Sequence, residues 1–405
     1  MSAIATTQSP TRSLQQRNDA CIINTYGTRR LALARGEGVN VWDIEGREYL
    51  DLFAGVAVTG LGHAHPAVTR AIQEQAAKLL HVSNHYYIEP QVALAELLCE
   101  HTFADRWFFC NSGAEANETA MKLARRYWAE QGTPKPEIIA ANHSFHGRTF
   151  ATVTATGQPK YHQGFEPVLP DILHVEFNNL SSLEAAVTDR TGAILLEPVQ
   201  GEGGVTAAMD AYLQGVRNLC DRKGILLILD EVQCGNGRTG SLYAHEQYGV
   251  TPDIMTTAKG LGNGVPIGAM GCSSKVASGF SVGSHGCTFG GNPLSCAAAL
   301  ATMNEILRPG FLAQVREKAA YFRERLTTLM AEHPMITELR GKGLMIGLKF
   351  TGPVAPLVAD LADAGFIVGS AGPDVLRLLP PLIIEQEHID RFMAVLPNSI
   401  RNVTW

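Results

Sequence analysis

The 405-residue sequence has no apolar run long enough to cross a membrane, which takes about 20 residues; its longest strongly apolar stretch, Ile225 to Leu229, is strand-sized. Positive charge is not in excess either. The 33 Lys and Arg against 39 Asp and Glu give a formal net charge of −6, which argues against nucleic acid as the main partner. No Gly-X-Y period, heptad run or low-complexity tract appears, so collagen-like, coiled-coil and disordered chains are excluded. The eight cysteines contain no C-x-x-C pair and read as reduced, mostly buried thiols of a cytoplasmic protein. His63 and His65 lack a third ligand at a suitable spacing, and Pro66 opens a helix beside them, so they read as turn and cap residues and no metal is expected. A serine nucleophile elbow and a Walker loop are also missing.

What is present is an ordinary globular composition, 45% hydrophobic and 18% charged, with a surplus of glycine. There are 40 glycines where an average chain of this length has about 28. Unrepeated glycine points to tight turns, or to places where backbone approaches a ligand. The opening segment, Met1 to Arg17, has no apolar face and reads as a disordered lead-in.

Short strands buried on both faces are expected at Glu137–Ala141, Ile172–Glu176, Ala193–Glu197 and Ile225–Asp230. Helical spacing with polar outer faces covers Ala67–Leu80, Ala114–Gln131 and Ala211–Lys223. That alternation implies a parallel sheet with crossover helices over roughly residues 66–309. After it come a long amphipathic helix (Phe311–Met330), further short strands and a final helix near Glu387–Val395, a smaller α+β unit over 310–405. In the N-terminal segment, 1–65, a hairpin is expected at Val39–Asp51, a candidate to pack with the C-terminal unit.

Ligands of parallel α/β sheets sit at the C-terminal strand ends, so the residues there matter most. The strand ending in Asp230 delivers a carboxylate to that edge, suited to a metal, a ribose hydroxyl or a protonated ring nitrogen, or serving only as a cap. Ser112, Gly113 and Ala114 form a small-residue turn into a helix whose first N–H groups favour an anion, typically phosphate; an ordinary capped helix has the same look. Lys259, among small and apolar residues and followed by Gly260, Gly262 and Gly264, is either a surface lysine or a shielded amine able to attack a carbonyl. Together the three supply the handles that pyridoxal phosphate requires: a counter-ion for its ring nitrogen, a phosphate cradle and an amine for its aldehyde.

From about Asn24 to Leu396 the sequence resembles the class III pyridoxal-phosphate aminotransferases, most closely their acetylornithine/succinylornithine branch. The resemblance rests on Leu61–Pro66, Phe108–Asn117, Ser144–Thr149, Glu197–Gly204, Asp230–Gln233 with Gly237–Gly240, Ala258–Gly260 and Thr288–Pro293. It implies an α/β fold of type I, with a large mixed, mostly parallel sheet domain and a smaller α+β domain built from both termini. It further implies that Lys259 forms the Schiff base, Asp230 pairs with the pyridinium nitrogen and Gln233 bonds the phenolic oxygen. Phe145 would stack on the ring, with Ser112, Gly113 and Ala114 holding the phosphate. Thr288 would reach the phosphate of a neighbouring subunit, which makes the protein a homodimer. Arg148 resembles the residue that binds the α-carboxylate of an acylated ornithine. Arg377 resembles the one that clamps glutamate or 2-oxoglutarate, with Glu202 masking it when the amino donor binds.

Some positions depart from the branch. Cys287 stands before Thr288 where a second threonine is usual, which bears on recognition of the acyl-ornithine. Cys234 and His85 also replace commoner residues. The activity implied is transfer of the δ-amino group of N2-acetylornithine to 2-oxoglutarate in arginine biosynthesis. Succinylornithine, ornithine and 4-aminobutyrate are alternative donors, and a mutase or racemase on the same scaffold or a non-catalytic binding protein are more distant readings.

Overall fold

The computed structural model describes residues 9–405. Its centre is a seven-stranded sheet whose strands in chain order are β1 (Arg106–Cys110), β2 (Glu137–Ala141), β3 (Ile172–Val175), β4 (Thr191–Leu196), β5 (Leu226–Asp230), β6 (Ile254–Thr257) and β7 (Gly268–Cys272). Across the sheet they run β1-β7-β6-β5-β4-β2-β3. All are parallel except β7, which is antiparallel to both β6 and β1.

The apolar β5 shows why the sheet is sandwiched. Leu227 and Leu229 join one core with Tyr212, Leu213 and Val216 of the Asp210–Lys223 helix. Leu226 and Ile228 point the other way, into a core with Ala120, Leu123 and Tyr127 of the Gly113–Glu130 helix. A strand alternates its side chains between faces, so a fully apolar strand needs cover on both. Each such leucine contributes roughly 1.5–3 kcal/mol by leaving water.

A second sheet pairs Ile336–Lys342, Met345–Phe350, Val375–Leu378 and Gly369–Ser370, and packs under the Phe311–Glu332 and Gln386–Arg401 helices. A third joins Leu33–Glu37, Asn40–Asp43 and Glu48–Asp51 to Phe366–Ile367, with Leu50 beside Phe366. The hairpin therefore binds C-terminal chain directly, and its Val39, Leu50 and Leu52 share one core with the C-terminal helices.

One expectation fails. The lead-in is not disordered from Pro10 onward: Pro10–Cys21 is a helix, capped by the Ser9 hydroxyl and opened by proline. It buries no residue, which is why no apolar periodicity announced it. The remainder of that expectation, residues 1–8, lies outside the described residues.

Between the hairpin and the large sheet the chain makes a left-handed turn. Ala54, Gly55, Val56 and Ala57 all have φ between 49° and 67°, which is costly for a β-branched valine. Asp51 holds it, its Oδ1 accepting the N–H groups of Phe53 (2.9 Å) and Ala54 (2.8 Å). His63 Nε2 lies 2.8 Å from the other oxygen of Asp51.

Candidate active site

The C-terminal ends of β4, β5 and β6 and the helix start after β1 surround a cavity of about 450 Å³. Ser112, Gly113, Ala114, Phe145, Arg148, Asp230, Gln233 and Lys259 all line it. Eight positions scattered over nearly 150 residues thus meet because parallel strands end together at one edge.

Asp230 closes β5 and is 3% exposed. Its Oδ2 accepts from Asn117 Nδ2 (2.7 Å) and lies 2.8 Å from His146 Nδ1. Its Oδ1 accepts from the Val232 N–H (3.0 Å). Asn117 is held in turn by Thr256, whose hydroxyl donates to Asn117 Oδ1 at 2.8 Å. A carboxylate bound this way is fixed in direction, not merely buried. Burial opposes protonation of His146, but the hydrogen bond and charge of Asp230, with Glu197, outweigh it and raise the pKa of the imidazole.

Glu197, just past β4, also lines the cavity. It accepts the N–H groups of Phe145 (3.0 Å) and Gly201 (3.2 Å). Burial pushes its carboxyl up to about 7; His146 opposes that shift and Asp230 adds to it.

Lys259 follows β6 with φ 44°, an unusual conformation for a residue with a side chain. The Asn236 amide steadies the preceding peptide, donating to Ala258 O at 3.1 Å. Burial lowers the amine's pKa below that of an ordinary lysine, more than the Glu202 carboxylate restores it. A lysine so placed is uncharged more often, which makes it a nucleophile.

Ser112 caps the Gly113–Glu130 helix, its hydroxyl accepting the Glu115 N–H at 3.2 Å. Glu115 returns the bond by accepting from Asn111 N (2.8 Å). The first-turn N–H groups of Gly113 and Ala114 have no partner within the helix and face the cavity, a site for an anion. Against this turn packs Gly147, with φ 140°; a Cβ there would lie 2.7 Å from Ala114 Cβ and 2.5 Å from Thr152 Oγ1. Only glycine lets the Phe145–Arg148 loop approach the helix start this closely.

Arg377 lies outside the cavity lining but is joined to it through Gln233. Its Nη1 meets Glu202 Oε1 at 2.5 Å and Gln233 Oε1 at 3.3 Å, and its Nη2 meets Glu202 Oε2 at 3.3 Å. Burial pulls the Glu202 carboxyl up, but Arg377 brings it below its ordinary value. The Phe53 ring of the left-handed turn lies 5.4 Å from the guanidinium carbon, and Val58 from the same turn lines the cavity.

Two expected residues stand apart. Thr288 is exposed and Cys287 half-buried, in a loop outside this cavity. Cys287 Sγ is instead 3.2 Å from Asn111 Nδ2.

Asn117, His146 and Glu197 were given no role from sequence, although each stands inside a quoted motif. A partner across the sheet, not a neighbour in the chain, makes them part of the site. Val58 carried no signal, since nothing local marks Ala54–Ala57 as left-handed. Arg238 is similar: it is buried and donates to the carbonyls of Leu344 (3.3 Å) and Pro380, fastening the Asp230 loop to the chain just past Arg377.

The model of the family described as aminotransferase class-III matches residues 23–400. The acetylornithine aminotransferase of Caldanaerobacter subterraneus subsp. tengcongensis is 48% identical over 384 residues, covering 94% of this chain and 98% of its own. The succinylornithine transaminase of Yersinia enterocolitica is 46% identical over 407 residues, covering 98% of each. Among solved structures, the ornithine aminotransferase of Toxoplasma gondii superposes with a TM-score of 0.94 at 31% identity, covering 98% of this chain and 96% of that one.

Proposed function

The chain belongs to the class III aminotransferases, a pyridoxal-phosphate-dependent family, and from that membership we propose that it moves the δ-amino group of N2-acetylornithine to 2-oxoglutarate. The products are N-acetylglutamate 5-semialdehyde and glutamate, a step of arginine biosynthesis. One observation carries the choice of substrates: two guanidinium groups flank the approach to Lys259 in opposite states. Arg377 is masked by a carboxylate, whereas Arg148 pairs with none among the described residues. A donor that reacts at its terminal amine holds its carboxylate away from Lys259, which suits the unmasked Arg148. A 2-oxoacid presents a carboxylate beside the reacting carbon, which suits Arg377 once Glu202 turns away.

The residues fit pyridoxal phosphate. A small planar ligand is matched by a cavity of this size with one aromatic wall, a buried carboxylate and a helix start. Asp230 would hold the protonated ring nitrogen, Phe145 the ring face, Gln233 the phenolic oxygen, and Ser112, Gly113 and Ala114 the phosphate. When bound, the cofactor supplies an electron sink for the pair released as the substrate's C–H bond breaks. Lys259 would hold the aldehyde covalently until the donor's amine displaces it, and the amine so freed would move the proton at that substrate carbon. Asn117 and His146 keep Asp230 aimed throughout.

The succinylornithine transaminase at 46% identity favours a second donor, the succinyl analogue. A panel of N2-acetylornithine, N2-succinylornithine, ornithine and 4-aminobutyrate with 2-oxoglutarate, ranked by kcat/KM, decides. A substantial preference for a non-acylated amine removes the acyl-ornithine assignment.

Two copies are proposed to share each site in a cytoplasmic homodimer. Support comes from one block of surface. Asn84 Nδ2 donates to the carbonyls of Cys287 (3.1 Å) and Gly290 (2.9 Å), and His81 lies against Phe289. Tyr86, Tyr87, Val282 and Phe289, from the two segments, are all exposed. Such apolar surface suits a partner, to which Thr288 would offer its hydroxyl. We also propose domain divisions near residues 66 and 309, the two terminal segments forming one unit through the shared sheet of Glu48–Asp51 and Phe366–Ile367.

A further inference from the structure

Arg148 is exposed, and rings take the place that a carboxylate occupies at Arg377. Its guanidinium carbon lies 4.0 Å from the ring centroid of Tyr161 and 5.5 Å from that of Phe145. The two rings meet edge to face, 5.9 Å apart at 81°. A ring face attracts a guanidinium through its quadrupole without consuming the N–H edge, which stays free to grip a carboxylate in bidentate fashion. A carboxylate partner would have used those same N–H groups.

We infer that Tyr161 is a positioning residue for Arg148, an aromatic shelf that holds the guanidinium ready for the α-carboxylate of the amino donor. The inference rests on reading Arg148 as the donor's carboxylate clamp. Tyr161 ends the short turn Pro159–Tyr161, and the chain before it is fastened to the loop that carries Phe145 and Arg148. Gln158 Nε2 donates to Ser144 O at 3.0 Å, Gly157 N to Ser144 Oγ at 3.0 Å, and His143 N to Gly157 O at 2.7 Å. A Cβ on Gly157 would lie 2.1 Å from Ala141 O, so the two backbones are in direct contact. Shelf and clamp therefore form one unit. Lys160 Nζ, 4.8 Å from the same ring, adds a second positive charge there.

The test compares two donors that differ only by the carboxylate: N2-acetylornithine and N-acetyl-1,4-diaminobutane. For the holoenzyme and its variants, the conversion of bound cofactor to its amine form is followed by absorbance in single turnovers, giving kcat/KM for each donor. Tyr161→Leu is expected to lower the preference for the carboxylated donor by roughly 3- to 10-fold, with little change for the other donor. Tyr161→Phe, which keeps the ring, is expected to restore it, and Tyr161→Met repeats the test should the leucine variant fold poorly. Arg148→Gln checks the underlying reading. If it leaves the preference intact, Arg148 is not the clamp. If it abolishes the preference while Tyr161→Leu and Tyr161→Met keep it, or slow both donors equally, the shelf is refuted and the clamp stands.

Discussion

Glu202 and Arg377 face each other through two guanidinium nitrogens, at 2.5 Å and 3.3 Å, with Gln233 touching both partners. This pair joins the second sheet to the loop after β4 and reaches the cavity through Gln233, a residue of the Asp230 loop. A buried ion pair is hard to break by deleting one partner, because the other charge is left without compensation. Under the proposed function an enzyme with two chemically different substrates has a use for that: the incoming carboxylate of the acceptor would replace the one that leaves.

Glu202→Gln removes the masking charge and keeps the shape. The KM for 2-oxoglutarate is expected to fall roughly 5- to 10-fold and that for the amino donor to rise, both read from ping-pong initial rates. Unchanged KM values for both would show that the pair has no gating role.

Lys259 and Asp230 separate covalent attachment from electronic control. Lys259→Ala should abolish both the borohydride-trapped adduct and turnover. Asp230→Asn should still bind the cofactor, with kcat lowered by roughly 10²- to 10³-fold, since the ring nitrogen loses its counter-ion. Wild-type turnover in either variant contradicts its assigned part.

The raised carboxyl of Glu197 gives a pH dependence of known sign. Its value in the fold, about 7, exceeds the 4.5 of an unperturbed glutamic acid, so the folded chain binds this proton more tightly than the unfolded chain. That stabilisation is complete below about pH 4.5 and drains away as pH rises to about 7. The Tm of the cofactor-free protein relative to that of Glu197→Gln should therefore fall between pH 5 and pH 8, on the order of a few degrees. A difference that does not vary with pH means the carboxyl titrates normally.

Shared sites can be tested by mixing subunits. In a heterodimer of Lys259→Ala and Thr288→Ala chains, a threonine acting across the interface leaves one site with both defects and the other intact. Random exchange at limiting cofactor should then restore about a quarter of wild-type activity. Absence of any recovery after demonstrated exchange would place Thr288 at its own chain's site.

Gly147→Ala tests the close approach beneath the site. The added methyl meets Ala114 and Thr152 and should push the Phe145–Arg148 loop off the phosphate turn. Weaker cofactor binding, by roughly tenfold or more in fluorescence titration, is the expected result. An unaltered dissociation constant would mean that the loop shifts without cost.

Periodicity alone placed four of the seven sheet strands to within a residue or two, because a strand buried on both faces must be apolar throughout. The helices Gly113–Glu130 and Asp210–Lys223 match as closely, while the one expected over Ala67–Leu80 already ends at Ala76. Order along the chain also located Asp230, the Ser112–Ala114 turn and Lys259, since each follows its strand locally. The helix at Pro10–Cys21 was beyond that reach: it buries no face, so only its cap marks it. So was the left-handed turn at Ala54–Ala57, which Asp51 stabilises from outside and in which only Gly55 takes a positive φ readily by itself. Only the tertiary structure decided which groups answer one another across the sheet. It set His146 and Asn117 on Asp230 and Tyr161 under Arg148, pairs separated by 13 to 113 positions, whereas Glu202 on Arg377 is a pairing that the resemblance already implied. Sequence carries the chemistry of each partner, but a hydrogen bond or ion pair depends on direction and distance, and those exist only once the strand ends have converged.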